Sequence, residues 1–268
     1  MTPAVRYRRW LPMAALCTLA LAGIWVPEAA VHGVDLDRRL AAPSLAHPLG
    51  TDSVGRDVFA RVAAGGVRAL VAVALTLAFG LVAGVALAAL WFASPRGLRA
   101  PLLRLCDLAV GVPSLLVALI VAGAVGLSPL SAALALAVGG AGSVAHLVIE
   151  LGRGAARSLP VMAARALGGT PLHVFRRHLA PTLAPPILLV QGYEAGRVLL
   201  AWSALTFLGV GADTGQPDWG AMVFEYRMHL FDAPLLVLGP SAAILALALA
   251  CACVADPRAS ASTAGDPG

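Results

Sequence analysis

The sequence contains no lysine: all 19 basic residues among its 268 are arginine. Charge of either sign is scarce, at 12% of residues, where a soluble domain carries about a quarter. Hydrophobic residues make up 59% and the mean hydropathy is +0.85, which excludes a water-solvated globule and leaves lipid as the solvent. Cysteine is confined to Cys17, Cys106, Cys251 and Cys253, each in or beside an apolar run. Buried thiols are expected there, not a disulfide framework or a metal site. Cys251 and Cys253, two apart on a helix, point to different faces. Catalytic signatures are missing as well. There is no P-loop, no GxSxG and no paired-histidine motif, so no catalytic residue is assigned and hydrolysis is not expected of this polypeptide. His146, His173, His178 and His229 show no metal-ligand spacing, and no metal site is assigned.

What is present is a series of apolar runs of about 20 residues, the length that crosses roughly 30 Å of hydrocarbon as a helix. In lipid every backbone amide needs a partner within its own segment, which admits helices or a closed barrel. Long runs in place of alternating ten-residue strands choose helices. The expected fold is all-α, a polytopic membrane protein with about six transmembrane helices near 11–26, 69–92, 105–125, 131–151, 187–210 and 234–255. The first run follows Arg6, Arg8 and Arg9 and competes with a signal peptide. Proline and glutamate in Val26-Pro27-Glu28-Ala29-Ala30 make a poor cleavage site, so a retained span is expected.

With the amino terminus inside, twelve arginines fall in inner segments and six in outer ones, while Arg197 lies within a span. The excess predicts both termini on the cytoplasmic side of a plasma membrane. It also accounts for the isoelectric point near 9.6 without nucleic acid as a partner. The chain divides into an amino-terminal segment 1–66, a membrane core 67–256 and a flexible cytoplasmic tail 257–268. The tail's turn-forming composition supports the last assignment.

Residues 153–186 form a polar interruption with Arg153, Arg157, Arg165, Arg176 and Arg177 and no acid. Pro160 opens a short helix, and Gly168 supplies the left-handed residue that ends it. Thr170 and Pro171 cap and start a second piece, which is expected to stop before Pro181, with Pro185 and Pro186 leading into the fifth span. Ala163 and Ala164 make a flat face flanked by arginines, suited to close packing by another protein. The competing assignment, an amphipathic linker on lipid headgroups, needs a bulkier apolar stripe.

The pattern Ala163-Ala164-x3-Gly168, with Pro181 thirteen residues on, resembles the EAA loop of ABC importer permeases. Residues 47–61, HPLGTDSVGRDVFAR, resemble the HPLGTDxxGRDVxSR signature of the permease type found in dipeptide, oligopeptide and nickel importers. ALTFLGVG at 204–211 followed by Pro217-Asp218-Trp219-Gly220 is similar to a third motif of that type. The resemblance is thus to the inner-membrane component of binding-protein-dependent transport. It implies a permease subunit, for di- or oligopeptides, with nickel or another small solute as the alternative. It implies a second permease subunit, two ATPase subunits docking on Ala163, Ala164, Arg165, Gly168, Pro171 and Pro181, and an extracytoplasmic solute-binding protein. ATP and magnesium would be used by those ATPase partners, and no cofactor by this chain. Three positions depart from the pattern: Met162 and Trp202 stand where the family has glutamate, and the carboxy-terminal motif is reduced to Asp256-Pro257-Arg258.

In the outer signature, Gly50, Thr51 and Asp52, then Gly55, Arg56 and Asp57, pair turn residues with a helix-capping acid. A helix leading into the second span follows. The segment is expected either to shape the contact with the binding protein or to latch the spans together. Trp219 is expected to anchor at the lipid interface. Glu194 and Arg197 share a face of the fifth span. Ionisable groups within a span mark functional positions, here the translocation path or the permease–permease interface. A rival class, the ion-coupled secondary transporter, would use Glu194 as its titrating group.

Overall fold

The computed structural model describes residues 23–209 and 215–255. Most of the first expected span and the tail lie outside them. The described chain is a bundle of helices with no strand, only an isolated antiparallel bridge between Thr51 and Asp57. A short helix α1 (Glu28–His32) precedes the 36-residue α2 (Val58–Ala93). At 1.5 Å per residue α2 is about 54 Å long, well beyond the hydrocarbon core. The expected lead-in helix and the second span are therefore one rod, unbroken across residue 66.

The third expected span is not one helix. It divides into α3 (Arg96–Gly111) and α4 (Ser114–Val125), bent by 77°. Pro113 is the cause, because its ring disfavours helical geometry at the preceding residue. Val112 accordingly adopts φ −78°, ψ 125°. The fourth span, α5 (Pro129–Ala155), starts at a reciprocal cap. The Ser131 amide donates to Ser128 Oγ (3.0 Å), and the Ser128 amide donates to Ser131 Oγ (2.9 Å).

Next come α6 (Leu159–Ala166), the single turn α7 (Pro171–Val174), a wide π-turn (Phe175–Leu179) and α8 (Ala180–Leu208). The expected stop before Pro181 is absent, and so is a break at Pro185 and Pro186. In the wide turn the Ala180 amide donates to the Phe175 carbonyl, which shifts the carbonyl that the Pro181 ring would otherwise strike. Thr182 Oγ1 donates to the His178 carbonyl (2.8 Å). The second half of the 153–186 segment is thus the foot of the fifth span.

A short helix α9 (Trp219–Tyr226) leads to α10 (Pro234–Ala255). Three helices, α2, α5 and α10, are long and apolar enough to cross a membrane, and four if the bent pair counts as one span. The expected six are therefore not all carried by such helices among the described residues. α8 falls outside that set because Gln191, Glu194 and Arg197 interrupt its apolar run.

α2 packs most extensively on α5. A Cβ at Gly84 would lie 2.6 Å from the Val144 Cβ and 2.7 Å from the Ala141 carbonyl oxygen, so only glycine permits that approach. α8 is the central helix, touching α2, α4, α5, α9 and α10. Its buried Leu199, Trp202 and Leu205 join Leu136, Val73 and Leu247 in the main core. Cys106 and Cys251 are buried and Cys253 is exposed.

Candidate functional site

The 47–61 signature folds into a charged latch. Gly50 (φ +77°) and Gly55 (φ +83°) turn the loop in a conformation open to glycine. At Gly55 a Cβ would also fall 1.8 Å from the Asp35 carbonyl oxygen. Between them Asp52 is fully buried. Its Oδ1 accepts from the Val54 amide (2.9 Å) and the Arg56 amide (3.0 Å), and its Oδ2 from Arg56 Nε (2.6 Å) and the Tyr226 hydroxyl (3.2 Å). Arg56 also pairs with Glu225, whose other oxygen lies 3.4 Å from Nη2 of buried Arg61.

Thr51 Oγ1 accepts from the Ala41 amide (2.9 Å) and donates to the Arg38 carbonyl. Asp57 caps α2 by accepting from the Ala60 amide (3.1 Å), and its Oδ2 lies 2.9 Å from His47 Nδ1. All six signature residues expected to act thus serve one loop, closed onto α2 and α9. Asp57 ties the loop to α2, and Asp52 and Arg56 tie it to Tyr226 and Glu225 of α9. Burial raises the Tyr226 hydroxyl pKa well above its ordinary value, so the phenol stays a proton donor to Asp52.

A second buried knot lies beside it. Asp218 Oδ2 accepts from Trp202 Nε1 (2.8 Å), and its Oδ1 from the Gly220 amide (3.1 Å). Burial raises its carboxyl pKa, against the opposing pull of hydrogen bonds from Thr206, Trp202 and Gly220 and the charge of Arg68. The departure at Trp202 thereby acquires a task, since its indole holds the Asp218 carboxylate. Trp219 is not a lipid anchor. It is 5% exposed, and its Nε1 donates to the Val62 carbonyl (2.7 Å). Its ring approaches Gly65, whose added Cβ would sit 3.0 Å from the indole.

At the other end of the bundle, α6 buries Val161 and exposes Leu159, Met162 and Ala163. Gly168 takes φ +82° as expected, with its amide on the Arg165 carbonyl (3.0 Å) and the Gly169 amide on Ala164 (2.9 Å). Thr170 Oγ1 caps the restart by accepting from the His173 amide (3.3 Å), and Pro171 begins α7. Ala163 and Ala164 line a shallow concavity with Pro160, Leu167, His173 and His178. Arg165 stands exposed beside it, while Pro181 is separate, inside α8. Where this segment leaves α5, the Arg153 guanidinium sits 5.7 Å from the Trp91 ring centre and that of Arg99 sits 4.9 Å away. The pairing ties the loop's root to the end of α2.

Glu194 and Arg197 form the expected pair. Arg197 Nε (2.9 Å) and Nη2 (2.5 Å) donate to Glu194 Oε2, and Nη1 donates to Ser114 Oγ (2.9 Å) at the bend between α3 and α4. Sequence reasoning missed Ser114, Glu225 and Tyr226. The Tyr226 and Glu225 contacts to the signature span more than 160 positions, and no local pattern announces them. Glu150, near the end of α5, is exposed and pairs with no arginine among the described residues.

Comparison with known proteins follows the same lines. Residues 54–256 match the profile of the family described as binding-protein-dependent transport system inner membrane component. The probable D,D-dipeptide transport system permease protein DdpC of Escherichia coli is 32% identical over 229 residues, covering 84% of this chain and 76% of that protein. The glutathione transport system permease protein GsiD of Pectobacterium atrosepticum is 31% identical, covering 84% and 75%. A crystal structure of an amino acid ABC transporter with histidines superposes with a TM-score of 0.54 at 18% identity, over 72% of this chain and 89% of that one, a likeness of fold. This all-α membrane protein belongs to the family of inner-membrane permease components of binding-protein-dependent transport systems.

Proposed function

We propose that the chain is one of two permease subunits in an ATP-driven importer of peptide-class solutes. It works with two ATPase subunits and an extracytoplasmic binding protein, and both its termini are cytoplasmic. The observation that carries the reading is the unbroken run from Pro171 through the π-turn to Leu208. A subunit gripping the exposed Leu159, Met162, Ala163 and Leu167 moves α6. The Gly168 elbow passes that motion to α8, the helix in contact with most of the core. ATP binding closes the ATPase pair, the elbow follows, and the permease pair alternates between inward- and outward-open states. Each state is favoured by the partner that binds it better. Relatives named for a D,D-dipeptide and for glutathione support a peptide-class solute. The latch of Asp52, Arg56 and Glu225 supports the outer loop as a rigid landing surface for the binding protein.

The test is co-expression with candidate ATPase, permease and binding-protein partners, followed by purification and uptake into proteoliposomes. ATP-dependent uptake of di- or tripeptides is expected. Gly168→Arg is expected to abolish both ATPase co-purification and uptake. Uptake driven by a proton gradient without ATP, and lost in Glu194→Gln, would instead make the chain an ion-coupled carrier.

A further inference from the structure

Two unusual features meet at one place. The first is the bend at Val112–Pro113, where Gly111, Val112 and Pro113 are exposed and non-helical backbone interrupts an apolar segment. At membrane depth such backbone survives only when buried in protein or lining a water-filled cavity. The second is the ion pair, with the Arg197 side chain 45% exposed and Glu194 17% exposed. The Arg197 hydrogen bond to Ser114 joins the two.

Depth can be read from the helices. Arg197 lies eleven residues from the Leu208 end of α8, or roughly 16 Å. Ser114 packs beside Gly139, its Cβ 3.8 Å from where a Gly139 Cβ would be, ten residues from the Pro129 end of α5, or roughly 15 Å. Both estimates put the cluster near the middle of a hydrocarbon core about 30 Å thick.

The hydrogen bonding there is incomplete. A guanidinium has five N–H donors; those of Arg197 reach Glu194 through Nε and Nη2 and Ser114 through Nη1, leaving two without a partner among the described residues. Glu194 Oε1 accepts from none of them. Lipid cannot solvate such a pair, whereas water and a passing charged solute can.

We infer that Ser114, Glu194 and Arg197 form a polar station on the solute path, in which Arg197 meets a carboxylate of the solute. The inference rests on the permease reading and deepens it by naming the chemistry met at mid-membrane. Glu194 neutralises and orients Arg197 while the station is empty. Ser114 fixes the guanidinium against the bend, so movement of α8 carries the station with it. A solute carboxylate takes the two free donors and replaces water.

The experiment reads water access and local charge together, without knowledge of the solute. In the reconstituted transporter, Cys17, Cys106, Cys251 and Cys253 are replaced by alanine, and Ser114→Cys is introduced. Membrane-impermeant methanethiosulfonates carrying a sulfonate or a trimethylammonium group are then compared. Relative to their rates with a small free thiol, the sulfonate reagent is expected to be favoured by about fivefold. Glu194→Gln should widen that preference, and Arg197→Gln, which leaves Glu194 uncompensated, should reverse it in favour of the trimethylammonium reagent. Val112→Cys, at the exposed bend, is a second reporter in case Ser114→Cys does not assemble. If ATP hydrolysis still responds to the binding protein while neither reporter reacts, or if they react without charge preference, the station is overturned and the permease reading stands. Loss of ATP-driven uptake in the cysteine-free parent itself, against robust proton-driven uptake, overturns the permease reading instead.

Discussion

Replacing Asp52 with alanine strips the latch of its hub. The carboxylate has no exposure and accepts four hydrogen bonds, two from backbone amides, one from the Arg56 guanidinium and one from the Tyr226 hydroxyl. Removing one member of a buried ion pair costs about 3–5 kcal/mol, because the remaining partner loses its compensation. Arg56 keeps Glu225, which is partly solvated, so the lower end of that range, about 3 kcal/mol, is expected. For a chain of this size 1 kcal/mol moves the melting temperature by about 2–4 °C, which predicts a fall of about 6–12 °C. The assay is thermal unfolding of the detergent-solubilised protein, followed by size-exclusion of the heated sample. Tyr226→Phe should cost about 1 kcal/mol, the net worth of one hydrogen bond. In the Asp52→Ala background it should cost almost nothing, since the two residues share one interaction. A loss below 1 kcal/mol for Asp52→Ala, or full additivity of the two changes, would refute the latch as a connected network.

Two glycines with the same backbone sign should behave differently. Gly168→Ala meets open space at φ +82° and should cost only about 1 kcal/mol of backbone strain, whereas Gly55→Ala adds a collision with the Asp35 carbonyl and should prevent accumulation of folded protein. Expression yield and melting temperature check both. Asp218 gives a pH signature. Its folded-state pKa is raised by burial, so its contribution to stability is full below the ordinary carboxylate range and is lost as pH rises through the folded value. Wild-type melting temperature, compared with Asp218→Asn, should therefore fall as pH rises through that window; a flat difference would sink the assignment. Trp91→Leu removes the ring between Arg99 and Arg153. It should lower ATP-driven uptake several-fold while leaving the Asp52 latch intact, checked by transport and melting of the same preparation.

Sequence composition alone determined the solvent and hence the class of fold. With little charge and runs of about 20 apolar residues, backbone satisfaction in lipid admits helices, and the regular elements among the described residues are helices. Local chemistry was equally legible. Gly168 ends α6, Thr170 caps the restart, and Asp57 caps α2, because each depends on residues within one turn. Proline was the least reliable guide. Pro113 bends its segment by 77° where a straight span was expected, while Pro181, Pro185 and Pro186 sit inside α8. A proline inside a helix lacks a donor and its ring meets the carbonyl four residues back; the π-turn at 175–179 moves that carbonyl aside for Pro181 alone, and nothing in the structure explains the tolerance of Pro185 and Pro186.

Only the tertiary structure decided which polar groups meet. Glu225 and Tyr226 reach Asp52, Arg56 and Arg61, Trp202 reaches Asp218, and Ser114 reaches Arg197 from 83 residues away. These partners are set by how helices of different length cross and by the bend at Pro113, and neither quantity is written in a local pattern. Trp219 makes the same point from the other direction. Its residue type suits the lipid interface, yet the approach of α9 to Gly65 and Val62 draws the indole inside. Burial there supplies both apolar contact and a carbonyl for its N–H, and the interface could supply no better.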